Sequence, residues 1–301
     1  MNIRKHFHKT FPCLTTLFIT ASLITTGCTQ PNIPENQTPG PTGITYRPGV
    51  PNTTRQNVLP PTRTPDLHGG PEHAIRQPHP LTLSDLRRKY PSTFVLNGPS
   101  SKREVALTFD DAPDDIYTPQ ILDVLKREGV KATFFVVGNR IEAHPEIMRR
   151  IVKEGHAVGN HSYNHANLPK LKDKQFRDQI NKTDQLIRNF TGYIPRMVRP
   201  PYGNINEEQI KWLANQRKKV VNWNVDSLDW KGLSAEQVAT NVLGHVHQGA
   251  IILMHSGGGI GEDLSGTVNA LPEIIRKLQA DNVKLVTIPE LLEMPPALGL
   301  S

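Results

Sequence analysis

Short apolar runs alternate with amphipathic stretches from about Val105 to the C-terminal region of this chain. Val105–Phe109 reads as a buried strand, followed by a helix over Pro119–Glu128 with Thr118 as N-cap and Gly129 as its stop. The strand Ala132–Val137 precedes a helix over Pro145–Glu154, stopped by Gly155. Ala157–Asn160 is a brief strand, and a long helix follows over Lys172–Phe190. Then come Met197–Arg199, a helix over Glu207–Gln216 and the strand Val220–Val225. The helix Ala235–Val246, the strand Ala250–Met254, the helix Val268–Ala280 and the strand Val283–Thr287 complete the series.

About seven strands alternating with helices predict an α/β fold with a parallel sheet and right-handed crossovers. An open doubly wound sheet gathers its site at one switch point, usually with a glycine-rich phosphate turn, and no such turn is present. A (β/α) barrel spreads its functional residues over the C-terminal ends of several strands. Here polar clusters close five strands, at Asp110-Asp111, His161, Arg199, Asp226 and His255. A distorted (β/α) barrel over residues 105–301 is therefore the predicted fold.

Upstream the alternation stops. From Thr29 to Pro80 the composition turns to Pro, Thr, Asn, Gly and Arg, with twelve of the 26 prolines between Pro31 and Pro80. Such a stretch buries too little apolar surface to offset its ordering entropy and is expected to be an extended, disordered tether. His68, His73 and His79 then read as solvated tether rather than ligands. Thr82–Tyr90 reads as a short helix within a lead-in segment, 81–104.

At the N-terminus, basic Arg4, Lys5 and Lys9 precede an apolar stretch, Phe11–Thr26, that ends at Gly27-Cys28. That is the layout of a secretory signal. The Gly-Cys pair resembles a bacterial lipobox with Cys28 lipidated, although Thr25 replaces the usual Leu; an uncleaved membrane anchor is the alternative. Both place the remainder outside the membrane, as an exported protein facing the cell wall. Of the two cysteines Cys13 lies in the leader, so no disulfide is expected. The charge of +7 and pI near 9.4 suit an anionic cell surface. No basic stripe interleaved with aromatics points to nucleic acid, and the chain is expected to act as a monomer.

The clusters carry recognisable chemistry. Adjacent carboxylates at the end of a buried strand call for a metal, a cation or a catalytic task, the plainer reading being two caps of the next turn. His161 and His165 stand four residues apart, and with one carboxylate they form a set suited to a catalytic metal with an open position. Arg199 at the entrance of Arg199-Pro200-Pro201-Tyr202-Gly203 can pair with a carboxylate, and the turn exposes backbone N–H groups to a reacting oxygen. Asp226-Ser227-Leu228-Asp229-Trp230 supplies an acid at a strand end and an indole beside it. His255, closing the run Ile251–Met254, can donate a proton if a carboxylate orients it; a satisfied core histidine is the plainer reading.

Thr-Phe-Asp-Asp at 108–111, His-Ser-x-x-His at 161–165, Arg-Pro-Pro-Tyr-Gly at 199–203, Asp-x-x-Asp-Trp at 226–230 and Leu-x-His at 253–255 stand in the order of the polysaccharide deacetylases. This is the NodB-homology group, carbohydrate esterase family 4, and the resemblance covers about Val105 to Leu292. The chain looks similar to bacterial peptidoglycan N-acetylglucosamine and chitooligosaccharide deacetylases. The resemblance implies that Asp111, His161 and His165 bind a divalent metal, usually Zn2+, with Co2+ or Ni2+ also accepted. It implies that Asp110 is the general base held by Arg199, and that the Tyr202 N–H stabilises the oxyanion. His255 would protonate the leaving amine, oriented by Asp226. Trp230 and Leu253 would line the acetyl pocket, with Pro201 on the substrate side. Ala112 stands where the family most often has Gly, and a turn needing φ > 0 there would carry a penalty on the order of 1 kcal/mol.

The function expected is removal of N-acetyl groups from an extracellular N-acetylhexosamine polysaccharide, most simply peptidoglycan or chitooligosaccharide. Two alternatives stay open: an O-acetyl esterase on xylan or another acetylated glycan, and a wall-binding barrel without turnover. The complete set of base, ligands and acid argues against the last.

Overall fold

The computed structural model describes residues 63–70, Glu72 and 82–298. The predicted leader, Cys28 and most of the predicted tether lie outside the described residues. Among these, nine strands form one sheet: β1 (Phe94–Val95), β2 (Glu104–Ala112), β3 (Thr133–Val136), β4 (Ala157–Asn160), β5 (Met197–Val198), β6 (Lys219–Val221), β7 (Val225–Asp226), β8 (Ile251–His255) and β9 (Lys284–Leu285). Their order is β1-β6-β5-β4-β3-β2-β8-β7, with β9 paired to the start of β2. Every strand pairing is parallel.

A period of two sorts the residues of each strand between two faces. Val105, Leu107 and Phe109 of β2 and Ile252 and Met254 of β8 pack outward with the helices. Ala106, Ile251 and Leu253 pack inward with Phe135, Met197 and Val221. The register sets Ala106 beside Ile251 and Asp110 beside His255. Thr108 and Asp110 therefore continue the inner face that Ala106 begins, and the polar strand ends collect at one mouth.

The connection from β6 to β7 shows why the sheet curls. These strands lie at opposite ends of the strand order, yet only Asn222, Trp223 and Asn224 separate them. Three residues cannot cross a flat sheet of strands spaced about 4.8 Å apart, so the edges must approach one another. The result is the distorted (β/α) barrel expected from the sequence, with one correction. The single strand expected over Val220–Val225 is broken: the Asn222 side chain donates to the Gly203 carbonyl, and Asn224 Oδ1 accepts from the Ile251 N–H.

Among the described residues, eight helices of six or more residues surround the sheet: α1 (Leu83–Lys89), α2 (Tyr117–Arg127), α3 (Gly138–Ala143), α4 (Pro145–Lys153), α5 (Asp173–Thr191), α6 (Glu207–Asn215), α7 (Ala235–Leu243) and α8 (Ser265–Ala280). A short ninth, α9 (Ile288–Leu291), packs with the inner cluster. The start of α2 differs from expectation. Asp114 Oδ1 accepts the N–H groups of Tyr117 and Thr118, so the helix begins before Pro119. The Thr118 hydroxyl instead donates to the Ser256 carbonyl, tying α2 to the loop after β8. No helix among the described residues is long and apolar enough to cross a membrane.

Two segments expected outside the barrel belong to it. In the lead-in, Leu86 and Phe94 enter a core cluster with Val198 and Val220, and β1 pairs with β6. Arg63–Gly70, expected as part of the tether, are docked: Leu67 is 4% exposed, and the backbone of His68 and Gly69 donates to the carbonyls of Asn164 and His165. His68 itself is exposed, while His73 and His79 lie outside the described residues.

Phe109 is fully buried between sheet and helices and stacks on Phe134 with centroids 5.3 Å apart. Phe109→Ala should lower the unfolding free energy by roughly 3–5 kcal/mol. Urea unfolding of the purified variant checks this; a loss below about 1 kcal/mol would show that the stack is not part of the stabilising core.

Candidate active site

In a regular strand Asp110 and Asp111 would point to opposite faces. Here the β2–β3 register shifts between Phe109 and Ala112, and Asp111 takes a left-handed φ of 65°. The irregularity re-aims the chain as β-bulges do, so both carboxylates reach the same mouth. Asp110 Oδ2 and Asp111 Oδ1 each lie 3.6 Å from His161 Nε2. The strained position is Asp111, not Ala112. Ala112 sits buried in the ladder opposite Val136, so the penalty expected there does not arise.

His161 and His165 are brought together by a bend rather than a helix. Ser162 and His165 both have positive φ, at 67° and 58°. The Asn160 side chain pins the bend: its Nδ2 donates to Asp184 and the Ile180 carbonyl on α5, and its Oδ1 accepts from the Ser162 N–H. Gln179 on α5 accepts from the N–H groups of Tyr163 and Asn164. Asp111 Oδ1 is 3.3 Å from His165 Nε2. His161 Nδ1 lies 2.7 Å from the Arg199 carbonyl, which can only accept. That nitrogen therefore carries the proton, and Nε2 keeps its lone pair.

Arg199 is completely buried, and each of its three side-chain nitrogens donates a hydrogen bond. Nη1 bonds Asp110 Oδ1 at 2.7 Å and Thr108 Oγ1 at 2.8 Å, while Nε and Nη2 donate to the carbonyls of Val221 and Asn222. Its guanidinium also sits 4.0 Å from the Phe135 ring centroid. The following turn, Pro201–Gly203, is buried and holds Tyr202 at φ 62°. The Tyr202 hydroxyl lies 3.1 Å from His165 Nδ1.

The carboxylate that orients His255 is Asp229, which corrects the assignment to Asp226. Asp229 Oδ1 lies 2.8 Å from His255 Nδ1, and Oδ2 accepts from the His255 N–H and the Thr267 hydroxyl, each at 2.8 Å. The reason is local. Asp226 Oδ1 accepts the Leu228 N–H inside its own turn, Leu228 adopts φ 55°, and the next 3-10 turn carries Asp229 behind His255. The Asp-x-x-Asp spacing contained this second acid, and its full burial distinguishes it from half-buried Asp226. Trp230 follows Asp229 and borders a cleft of about 640 Å³ with Lys231, Gly232, Gly261, Glu262 and Asp263. Leu253 is buried in β8 beside Asp226, and Pro201 is buried in its turn.

Burial shifts these groups in opposite senses. It holds the His161 imidazole down to about 4 and His165 well below the ordinary range, while it raises the Asp111 carboxyl. At His255 burial also opposes the charge, but the Asp229 carboxylate outweighs it and raises the imidazole to about 10. Asp111 Oδ1 and His165 Nε2 are buried without a hydrogen-bond partner. Together with His161 they form a group whose ligand atoms lie within 4.8 Å of one another. Two neutral imidazoles and one carboxylate converging with orphaned lone pairs fit a divalent cation.

A further residue missed in the sequence is Arg140 on α3. It is buried and donates to the carbonyls of Asp111, Pro65 and Gly258, joining the end of β2 and the loop after β8 to the docked segment. Strain concentrates in the same place. Of the eight non-glycine residues with positive φ among the described residues, Asp111, Ser162, His165, Tyr202 and Leu228 belong to these mouth loops. Such conformations cost on the order of 1–3 kcal/mol each and persist where surrounding contacts dictate them.

Comparison with known proteins agrees with this geometry. The polysaccharide deacetylase family model matches residues 97–221. A peptidoglycan-N-acetylglucosamine deacetylase of Bacillus cereus is 46% identical over 200 residues, covering 66% of this chain and 72% of that protein. The peptidoglycan-N-acetylmuramic acid deacetylase PdaC of Bacillus subtilis is 41% identical, covering 64% of this chain but only 40% of its own length. The crystal structure of the Bc1960 peptidoglycan N-acetylglucosamine deacetylase superposes with a TM-score of 0.66 at 45% identity, covering 67% of this chain and 94% of that one. This chain belongs to the polysaccharide deacetylase family, the NodB-homology hydrolases of carbohydrate esterase family 4.

Proposed function

We propose that the chain is a zinc-dependent N-deacetylase acting on N-acetylglucosamine of extracellular peptidoglycan, releasing acetate and a free amine. The observation that carries this reading is the buried Asp111–His161–His165 group beside Asp110, with orphaned lone pairs on Asp111 and His165. A divalent metal held by those three residues, Zn2+ or else Co2+ or Ni2+, would supply Lewis acidity and lower the pKa of water.

This chain's own residues supply the rest. Asp110, fixed by the buried Arg199, is the proton acceptor. His255, kept protonated by Asp229, donates to the poor amine leaving group. The two face the reacting amide from adjacent strands, since Asp110 and His255 are register partners. The tight Tyr202 turn supports a role for its N–H at the developing oxyanion. Trp230 and Leu253 line the acetyl pocket in this reading, with Pro201 on the substrate side, and the cleft beside Trp230 falls in the size range of small-ligand sites.

The substrate class is supported by the relatives named as peptidoglycan deacetylases, and their names divide between N-acetylglucosamine and N-acetylmuramic acid. The leader-like N-terminus and Cys28 support export and membrane attachment, as a lipoprotein or through a signal anchor, and the net charge of +7 suits a wall-facing protein.

Acetate and free-amine release from N-acetylated peptidoglycan and chitooligosaccharides tests the proposal. Release should require zinc or cobalt. Asp110→Asn should keep the metal and lose at least about 10²-fold in rate, while His161→Ala should lose both metal and activity. Acetate released only from acetyl esters would replace the amidase with an O-acetyl esterase, and no release from any substrate with metal bound would leave a wall-binding barrel.

The pH profile tests the acid. His255 holds its proton below about 10 and loses it as pH rises through that value. In Asp229→Asn the strongest pull that raises the imidazole is lost while burial still opposes its charge, so it titrates below that value, with only Glu72 and Asp111 still favouring the proton. The alkaline limb of the rate should then move to lower pH, the activity lost above it being the roughly 10²–10⁴-fold that a general acid contributes. An unmoved alkaline limb would remove His255 from the acid role.

A further inference from the structure

The docked segment Arg63–Gly70 reaches the ligand group through one side chain. The Tyr202 hydroxyl lies 2.7 Å from the Gly70 carbonyl and 3.1 Å from His165 Nδ1. A hydroxyl has one proton, and a carbonyl oxygen can only accept. The Tyr202 proton therefore goes to Gly70, and the hydroxyl offers a lone pair to His165. His165 must answer with Nδ1–H, which leaves the lone pair on Nε2, the atom facing Asp111 Oδ1 at 3.3 Å. Without Gly70 the hydroxyl is free to donate to Nδ1 instead, and the ring would then carry its proton on Nε2, where it cannot ligate.

The placement of Gly70 is built rather than incidental. Leu67 is buried, Asp66 Oδ1 accepts from the Ile260 N–H at 3.0 Å, and the Pro65 carbonyl accepts from Arg140 Nε at 3.1 Å. His68 and Gly69 donate to the Asn164 and His165 carbonyls at 3.0 and 3.2 Å. Gly69 is required by proximity: a Cβ there would stand 2.3 Å from the Tyr202 hydroxyl oxygen and 2.7 Å from the His165 carbonyl.

We propose that Gly70 and Tyr202 form a positioning relay that locks His165 in its metal-binding tautomer, so that Arg63–Gly70 is a working part of the metal site. The relay rests on the metal-dependent reading given above. His161 has the equivalent lock within the barrel, from the Arg199 carbonyl, whereas the lock on His165 depends on a segment N-terminal to the whole sheet.

Zinc affinity of the full chain, measured by competition with a chromophoric chelator, tests the relay without reference to turnover. Tyr202→Phe should weaken zinc roughly 10–100-fold, as loss of outer hydrogen-bond partners does. Gly69→Val, which lifts the segment from Tyr202, and Leu67→Asp, which removes its buried anchor, should each weaken zinc in the same sense. Combining either with Tyr202→Phe should cost no more than Tyr202→Phe alone, because the segment acts through that hydroxyl. The visible absorption of the cobalt-loaded variants should shift alongside. Zinc binding by Tyr202→Phe within twofold of the parent, or losses that multiply in the double variants, would overturn the relay. A parent chain that fails to bind zinc would overturn the metal reading itself.

Discussion

Arg199 is the residue on which the rest of the site depends. Its guanidinium lies inside the barrel and joins β2, through Thr108 and Asp110, to the carbonyls of Val221 and Asn222 at the end of β6. Its carbonyl fixes His161, and its N–H bonds the Asn160 carbonyl. One side chain thus holds the proposed base, while the backbone of the same residue orients a proposed ligand. An arginine bonded through all three side-chain nitrogens and paired with a carboxylate can be buried, but removing its partner would leave a charge stranded in the interior. The inner face of the barrel is built around keeping that pairing intact, with Phe135 and Trp223 stacked near the guanidinium.

Burial has two opposite outcomes a few residues apart. At His161 and His165 it prevails and keeps imidazoles neutral, the form a metal requires. At His255 an adjacent fixed carboxylate overcomes it and keeps the ring charged, the form a proton donor requires. In the proposed mechanism the same side chain serves two tasks because only one of the three histidines has Asp229 behind it. Separating ligands from acid in this way needs no change of residue type, only the placement of one carboxylate.

Much of this was legible along the chain because several candidate site residues close an apolar strand. Asp110, His161, Arg199 and His255 sit where a period-two run meets a polar cluster, and a parallel sheet sends all such ends to one side. What could not be read depends on backbone turns that leave no residue signature. The choice of Asp229 over Asp226 follows from a left-handed Leu228, where no glycine announces the turn. The break between β6 and β7 falls in Asn222-Trp223-Asn224, which alternates as a continuing strand would. The start of α2 is set by Asp114, three residues before Tyr117. Arg63–Gly70 has the composition of a linker, with Leu67 as its one large apolar residue, and the backbone hydrogen bonds that seat it are invisible in sequence.

The docked segment also bears on the order in which the protein can assemble. Its partners lie far along the chain: Arg140 is 75 residues from Pro65, Tyr202 is 132 from Gly70, and Ile260 is 194 from Asp66. Contacts of such separation form late, because the closure entropy is recovered only once the intervening elements are in place. The loop that presents Ile260 follows β8, which lies between β2 and the β7 end of the strand order. Pro65 and Asp66 are synthesised first, yet their seat is complete only once Arg140 and Ile260 are in place.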